Sequence, residues 1–442
     1  MLDGERYYLG LHDILKRTRT VIGENGELTT VENLPNNRIV DNQYKKMVNQ
    51  KVDYLFAKPI TIECEDKNYL NLLKGILGKK FQRLIKIVAE DSLNCGIGFV
   101  FVYYDEQGEL SFKRFRPFEV IPHWADTEHT ELEYLIRFFN VEVFKNGNYE
   151  TVEKVEVYSN LGIDYYEHVG GTLKPVEPYH QNYFTKIVDG KESTYNWDYI
   201  PVIAFKYNQK EVPLIRMVKS LQDGLNLIES NFQNQMEEDS RNTILVIKNY
   251  DGENLADFRR NLATYGAIKV RTETGADGGV EALQVEVSSE NYKTILELFK
   301  KAIIENCMGY DAKDDRLSGT PNQMNILSMY SDIDLDANSM ETEFQAALEE
   351  LLWFVDIHFN IKGLGDFEDV DVEVIFNRDI LISESEVIDN CVKSMGLLSN
   401  ETIISLHPWV KDVGVELKRL EEQKAKELDT YGFGQDEQVL AE

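Results

Sequence analysis

The chain has 442 residues, and 47 Lys+Arg against 77 Asp+Glu give it a formal charge of −30. Nucleic-acid binders draw most of their affinity from neutralised phosphates, so this balance excludes a protein that grips DNA tightly over a wide surface and makes an anionic membrane a poor partner. Hydrophobic residues at 43% and aromatics at 11% place it among globular chains, and its four cysteines are widely spaced, with no CxxC pair to signal zinc or a disulfide framework.

The N-terminus lacks an apolar signal-peptide core. The longest apolar runs, residues 99–104 and 351–355, fall far short of the about 18 residues of a membrane helix, so a soluble protein made in a cytoplasm is expected. Apolar residues at three-to-four spacing predict helices at Tyr7–Arg17 and Gln43–Phe56, and two more within 66–95. From Gly96, alternating aromatic-rich segments predict strands at Gly98–Tyr104, Leu110–Arg116, Leu132–Val143 and Val152–Tyr158. They read as a meander running to about Lys206, without helices for parallel crossovers.

Leu214, Val218, Leu221, Leu225, Ile228, Phe232 and Met236 then define one long helix with a single buried stripe. A compact α/β insertion follows: a strand at Thr243–Lys248, a short helix at Asn254–Tyr265, and strands at Ala267–Arg271 and Glu281–Val287 around a turn at 274–279. A second long helix spans Ser289–Met308. After the polar loop Gly309–Gly319, Thr320 (N-cap), Pro321 (first turn) and Gln323 form a helix start. Ile326, Tyr330, Ile333, Ala337, Met340, Phe344, Ala347, Leu351, Val355 and His358 continue the pattern. At about 1.5 Å per residue this is a rod of roughly 57 Å. Three such helices predict an elongated protomer that completes its burial against neighbours. Beyond the rod come a strand at Asp369–Phe376, a capped helix from Ser383 to about Met395 closed by Gly396, and a short helix from Ser399 ended by Pro408. A charged helix at Val413–Leu428 and an acidic tail at Tyr431–Glu442 complete the chain.

Enzyme chemistry finds little support. Asp332, Asp334, Asp336 and Glu343 match positions 1, 3, 5 and 12 of an EF-hand loop, but Ala337 stands where the turn needs glycine and helical periodicity runs straight through, so a solvated acidic face is the better reading. His123 and His129, near Asp126 and Glu128, read as a polar turn rather than a metal site. No G-x-S-x-G elbow occurs. Residues 75–80 (Gly-Ile-Leu-Gly-Lys-Lys) have the wrong spacing for a phosphate loop and read as a helix end with cations near its C-terminus. Gly96-Ile97-Gly98 reads as the start of a strand. No catalytic residue, metal set or cofactor is expected.

Several stretches in order carry a family resemblance. They are residues 7–14 (Tyr-Tyr-Leu-Gly-Leu-His-Asp-Ile), 37–48 (Asn-Arg-Ile-Val-Asp-Asn-Gln-Tyr-Lys-Lys-Met-Val), 54–60 (Tyr-Leu-Phe-Ala-Lys-Pro-Ile), 375–378 (Ile-Phe-Asn-Arg) and 397–402 (Leu-Leu-Ser-Asn-Glu-Thr). Together with the sequence long helix, small insertion, long helix, loop and rod, the chain resembles portal proteins of tailed bacteriophages, in the branch found in siphophages and prophages of Gram-positive bacteria. The resemblance spans most of the chain and rests on order rather than on any one motif.

It implies an α+β fold: an elongated portal-type protomer with wing, long-helix stem, small α/β clip and helical crown, assembling into a ring, commonly of twelve, at one capsid vertex. The implied parts are residues 1–213 (arm and β-rich wing), 214–240 (stem helix), 241–287 (clip), 288–308 (second stem helix), 309–319 (tunnel loop), 320–360 (tunnel helix), 361–382 (wing strand segment), 383–428 (crown) and 429–442 (acidic tail). The implied partners are double-stranded DNA in the channel, the large terminase subunit, a head-completion or adaptor protein, and the major capsid and scaffolding proteins, with no membrane. Assembly is expected in the host bacterial cytoplasm. In the tunnel loop Asp311, Lys313, Asp314, Asp315, Arg316 and Ser318 approach DNA; Asp223, Glu229, Glu237, Glu238 and Asp239 are channel-lining stem candidates; Arg259, Arg260, Lys269 and Arg271 are clip docking candidates. Acidic walls keep DNA hydrated and mobile. Two other readings stay open: another phage structural or scaffold protein, and a calcium-binding or metal-dependent enzyme using the Asp332 group.

Overall fold

The computed structural model describes residues 1–22, 26–32, 34–145, 147–188, 191–239, 244–248, 279–283, 289–313, 323–378, 384–410 and 413–430. The N-terminus departs from the single predicted helix. Helix α1 (Leu2–Tyr8) ends where Gly10 takes φ +82°, and a 3-10 turn follows at Asp13–Lys16. The left-handed glycine reverses the chain, letting the Leu11 N–H donate to Arg6 O at 2.8 Å. Helix α2 (Gln43–Phe56) has its predicted bounds, fixed by Asn42, whose side chain accepts from the Lys45 N–H. Helices α3 (Lys67–Ile76) and α4 (Lys79–Cys95) meet at Gly78, where the backbone is extended. Lys79 and Lys80 therefore open α4, which corrects the expectation that they close the preceding helix.

Helix α4 is stopped by Gly96 at φ +90°. A β-carbon there would lie 2.0 Å from the Glu211 carbonyl oxygen, so only glycine fits. The chain enters the strand Ile97–Tyr104, the middle of a three-stranded antiparallel sheet with Leu110–Phe115 and Val202–Lys206. Five further strands, Val120–Trp124, Leu132–Lys145, Asn148–Ser159, Gly162–Val169 and Thr172–Gln181, form an antiparallel meander in sequence order; only its second and third were predicted, and the predicted first two strands belong to the other sheet. Phe115, Val120, Leu135, Tyr158, Ile163 and Ile200 make a core between the two sheets.

The long helices follow as α5 (Ile215–Asp239), α6 (Ser289–Asn306) and α7 (Gln323–Lys362). Between α5 and α6, strands Ile244–Lys248 and Gly279–Leu283 pair antiparallel. The predicted helix at 254–265, the strand at 267–271 and residues Thr320 and Pro321 lie outside the described residues, as do Ser383 and the tail.

Helix α7 runs unbroken for 40 residues, and every position of its predicted stripe is buried. Its cover comes from the same chain. Tyr330 stacks on Tyr54, Phe344 meets Phe56 and Phe205, and Phe359 meets Tyr69. A fully buried side chain of this kind contributes about 1.5–3 kcal/mol, so the rod does not depend on neighbours for its main stripe, contrary to expectation. On other faces Met324, Leu327 and Leu335 remain exposed.

The predicted strand at 369–376 pairs only over Glu373–Ile375, because its partner Thr61–Glu63 is three residues long. Just beyond it Asn377 Nδ2 donates to Pro59 O (2.7 Å) and Thr61 Oγ1 (2.8 Å), and the Arg378 guanidinium clamps Asp334, Asn338 and Glu341 on α7. Helices α8 (Glu384–Lys393), α9 (Asn400–Leu406) and α10 (Val413–Thr430) close the described chain. Ser399 caps α9 as predicted, accepting the Thr402 N–H at 3.2 Å. Among the described residues no helix is long and apolar enough to cross a membrane.

Candidate functional site

The first stem helix, α5, has two working faces rather than one apolar stripe. Val218 and Leu225 are buried, Phe232 packs on Tyr292 of α6, and Met236 is exposed. Beside them Gln222, Asn226, Ser230 and Asn234, four residues apart, are fully buried although polar. Their side-chain oxygens each accept a main-chain N–H of the arm, while the Asn234 amide nitrogen has no partner among the described residues. Asn234 Oδ1 accepts from the Asn37 N–H (2.7 Å), Ser230 Oγ from Ile39 (2.9 Å), Asn226 Oδ1 from Asp41 (3.1 Å) and Gln222 Oε1 from Tyr44 (3.0 Å). Gln222 Nε2 returns a bond to Asp41 O at 2.7 Å. A buried polar group costs little only when paired, and here four in a row pair with one extended segment.

His12 completes this ladder. Asn226 Nδ2 lies 2.7 Å from His12 Nδ1, and His12 Nε2 lies 3.0 Å from Tyr7 O. Because the Asn226 oxygen is already committed to Asp41 and Gln222, its amide N–H donates to Nδ1, which fixes a neutral ring carrying its proton on Nε2. Burial pushes the His12 imidazole below its ordinary range. An unfolded histidine takes a proton near pH 6.5, whereas folded His12 resists it. Its contribution is therefore complete above about pH 6.5 and is lost as pH falls toward the lowered folded value. Urea unfolding between pH 7 and pH 5 should show a smaller loss of stability in His12→Asn than in the native chain; equal slopes would remove His12 from this account.

A second construction holds the start of the loop after α6. Gln50 on α2 reads the Tyr310 backbone twice, with Oε1 accepting its N–H (3.0 Å) and Nε2 donating to its carbonyl (2.8 Å). Lys51, almost fully buried, donates to Asp336 (2.6 Å) and lies 3.3 Å from Met308 O, while Tyr207 donates to the other Asp336 oxygen at 2.8 Å. A β-carbon on Gly309 would come within 2.8 Å of Gln50 Oε1 and Met47 Sδ. Residues 308–310 are thus seated on α2 and α7 before the loop departs.

The predicted channel residues fall in different surroundings. Asp223 accepts from Tyr7 Oη and from Lys219 (2.9 Å), which also reaches Asp13 at 2.6 Å. Lys219 and Arg6 hold the Asp13 carboxyl well below the usual carboxylate range. Glu229 lies 3.5 Å from Lys300, which also pairs with Asp41 at 2.7 Å; burial, with Asp41 beside it, pushes the Glu229 carboxyl up. Glu237 is exposed and accepts from Asn37 Nδ2 at 3.0 Å. The Glu238 and Asp239 side chains lie outside the described residues. In the loop, Asp311 accepts from the Lys313 N–H at 3.0 Å and Lys313 is exposed, whereas Asp314, Asp315, Arg316 and Ser318 lie outside the described residues. So do Arg259, Arg260, Lys269 and Arg271.

The acidic run in α7 stays helical. Asp334 is held by Tyr54 and Arg378, and Asp336 by Lys51 and Tyr207, so these carboxylates join elements of the fold. His123 pairs with Glu133, and His129 with Glu211. Among the described residues no group of three or more His, Cys, Asp or Glu is arranged to hold a metal. The ladder of α5 and the Gln50–Lys51 pair were missed in the sequence. The four-residue spacing of uncharged polar residues was the available signal for the ladder; nothing local distinguishes Gln50 or Lys51 from a solvated helix face.

The family model "Phage portal protein, SPP1 Gp6-like" matches residues 1–429. The portal protein of Bacillus phage SPP1 is 27% identical over 435 residues, covering 98% of this chain and 85% of that protein. The portal protein of Clostridium phage phiCD119 is 26% identical, covering 98% and 95%. Among solved structures, a chain from the virion of the native gene transfer agent particle aligns with a TM-score of 0.42 and 12% identity, over 82% of this chain and 88% of that one.

Proposed function

Because the chain belongs to the SPP1 Gp6-like family of phage portal proteins, a virion component that assembles as a ring with the capsid, we propose that twelve copies surround a DNA channel at one vertex. Packaging fills the head through it and ejection empties it. In this reading residues 1–213 are arm and wing, 214–240 and 288–308 the stem, 241–287 the clip, 309–319 the tunnel loop, 320–360 the tunnel helix, and 383–428 the crown. The clip, with Arg259, Arg260, Lys269 and Arg271, docks the large terminase subunit during packaging and a head-completion protein afterwards. Assembly takes place in the bacterial cytoplasm, alongside scaffolding and major capsid proteins.

The observation that carries this reading is the double seat of the loop root. Gln50 and Lys51 hold residues 308–310 against the body, so a loop starting there has a fixed base from which Lys313 and Arg316 make transient phosphate contacts. The acidic stem end, Glu237 to Asp239, supplies the low-affinity wall past which DNA slides. Asp223 and Glu229 lie further back on the same helix, with part of their charge offset by Lys219 and Lys300.

Electron microscopy of the purified protein tests it: rings with a central hole are expected, and a compact monomer under all conditions would overturn it. With a formal charge of −30 on every subunit, like-charge repulsion opposes closure. The ring fraction should rise as salt is raised from low to physiological strength, where the screening length falls to about 8 Å. Rings equally abundant at every ionic strength would contradict the electrostatic part.

A further inference from the structure

Between the meander, the three-stranded sheet and α7 lies a recess of about 640 Å³, within the range of sites that hold a ligand group. Its walls include Trp124, Tyr199, Trp353 and Phe354; Tyr199 meets Trp353 edge-on at 4.8 Å and stays exposed at the rim. Two carboxylates on one face of α7, Glu343 and Glu350, line it. Neither forms a hydrogen bond or ion pair among the described residues.

The nearest cation does not serve them. Lys206, which lines the same recess 5.6 Å from the centre of the Trp124 ring, donates to the Glu128 and His129 carbonyls at 3.2 Å and 3.0 Å and lies 3.6 Å from Glu211, without an ion pair to Glu343 or Glu350. His129 also turns to Glu211, at 2.7 Å. Glu350 is open to water in the recess yet walled by protein, and this burial pushes its carboxyl up to about 7, with Lys206 opposing. Aromatic faces around unpaired carboxylates suit a cation, which the ring quadrupoles and the carboxylates attract together.

We propose that this recess receives the side chain of an arginine or lysine from a second copy of the chain. A second copy is favoured by charge. Subunits with 77 acidic against 47 basic residues repel one another, and a neighbour's cation seated among unpaired carboxylates is a contact that offsets that repulsion where the surfaces meet. The proposal rests on the ring reading above.

The test uses full-length protein carrying the photo-crosslinker p-benzoylphenylalanine in place of Tyr199, together with the double variant Glu343→Gln/Glu350→Gln. Irradiated rings should yield covalent dimers whose crosslinked peptide contains a lysine or arginine. The double variant should keep its native circular dichroism while the protein concentration at which half the rings dissociate rises roughly tenfold. Rings that form but crosslink only within one chain would overturn the proposal and leave the ring reading intact. So would double-variant rings as resistant to dilution as the native ones. A native protein that never forms rings would overturn both.

Discussion

Lys51→Met is expected to lower the unfolding free energy by about 3–5 kcal/mol, the range for removing one partner of a buried ion pair. The Lys51 side chain is 3% exposed and Asp336 is 15% exposed at 2.6 Å. Methionine keeps the length and apolar stem of lysine, so little cavity is made and the loss is mainly one of counter-charge. Asp336 is left with the Tyr207 hydroxyl, one neutral donor for a charge removed from water. Urea denaturation measures the cost. The companion Lys51→Met/Asp336→Leu buries no charge and should recover most of it. A single variant within about 1 kcal/mol of the native chain would show that the pair has no structural part. Hydrogen exchange gives a local readout: the amides of Met308 to Tyr310 should lose protection in the single variant, because Lys51 also reaches the Met308 carbonyl.

Asn226→Leu should be nearly as damaging, and in a different place. It strips the partner from the Asp41 N–H and from His12 Nδ1, and removes one of the two acceptors of Gln222 Nε2, which keeps Asp41 O. At about 1–3 kcal/mol for each orphaned buried group, a total of roughly 3 kcal/mol or more is expected. The damage falls on the seam between arm and stem, so the arm should come away before the rest of the fold unfolds. Limited proteolysis should then cut within residues 34–42 at least about tenfold faster, the ratio that corresponds to 1.4 kcal/mol of local opening. Leu227→Asn, one position along and exposed, is the control and should change stability by no more than about 0.5 kcal/mol. Equal cleavage in both variants would dismiss the ladder.

What the sequence disclosed follows from how local each signal is. The α7 stripe was legible position by position, because burial of a long amphipathic helix imprints its period on the residues. Two strands of the meander, Leu132–Lys145 and Asn148–Ser159, were legible because alternation and the intervening Lys-Asn-Gly-Asn turn mark their ends. The Ser399 cap was legible from its own position. Three features were not. That the α7 stripe is covered by Tyr54, Phe56 and Phe205 depends on partners far away in sequence. The seat of residues 308–310 on Gln50 and Lys51 joins positions with no shared local pattern. The polar ladder breaks the rule that buried residues are apolar, so hydropathy alone gives no reason to bury those positions. The acidic candidates showed the same limit: Asp223 and Glu229 carry charge that Lys219 and Lys300 partly offset, a fact that composition cannot reveal.

The ladder also sets a timetable for biosynthesis. Asn37 bonds to Asn234, a separation of 197 residues. At about 5–20 residues per second, the ribosome delivers the second half of that contact about 10–40 s after the first. Throughout that interval the arm is outside the ribosome while the stem that receives it does not yet exist. The arm is made early and its seat on the stem late, so residues 37–41 are open to chaperones and proteases during that part of synthesis.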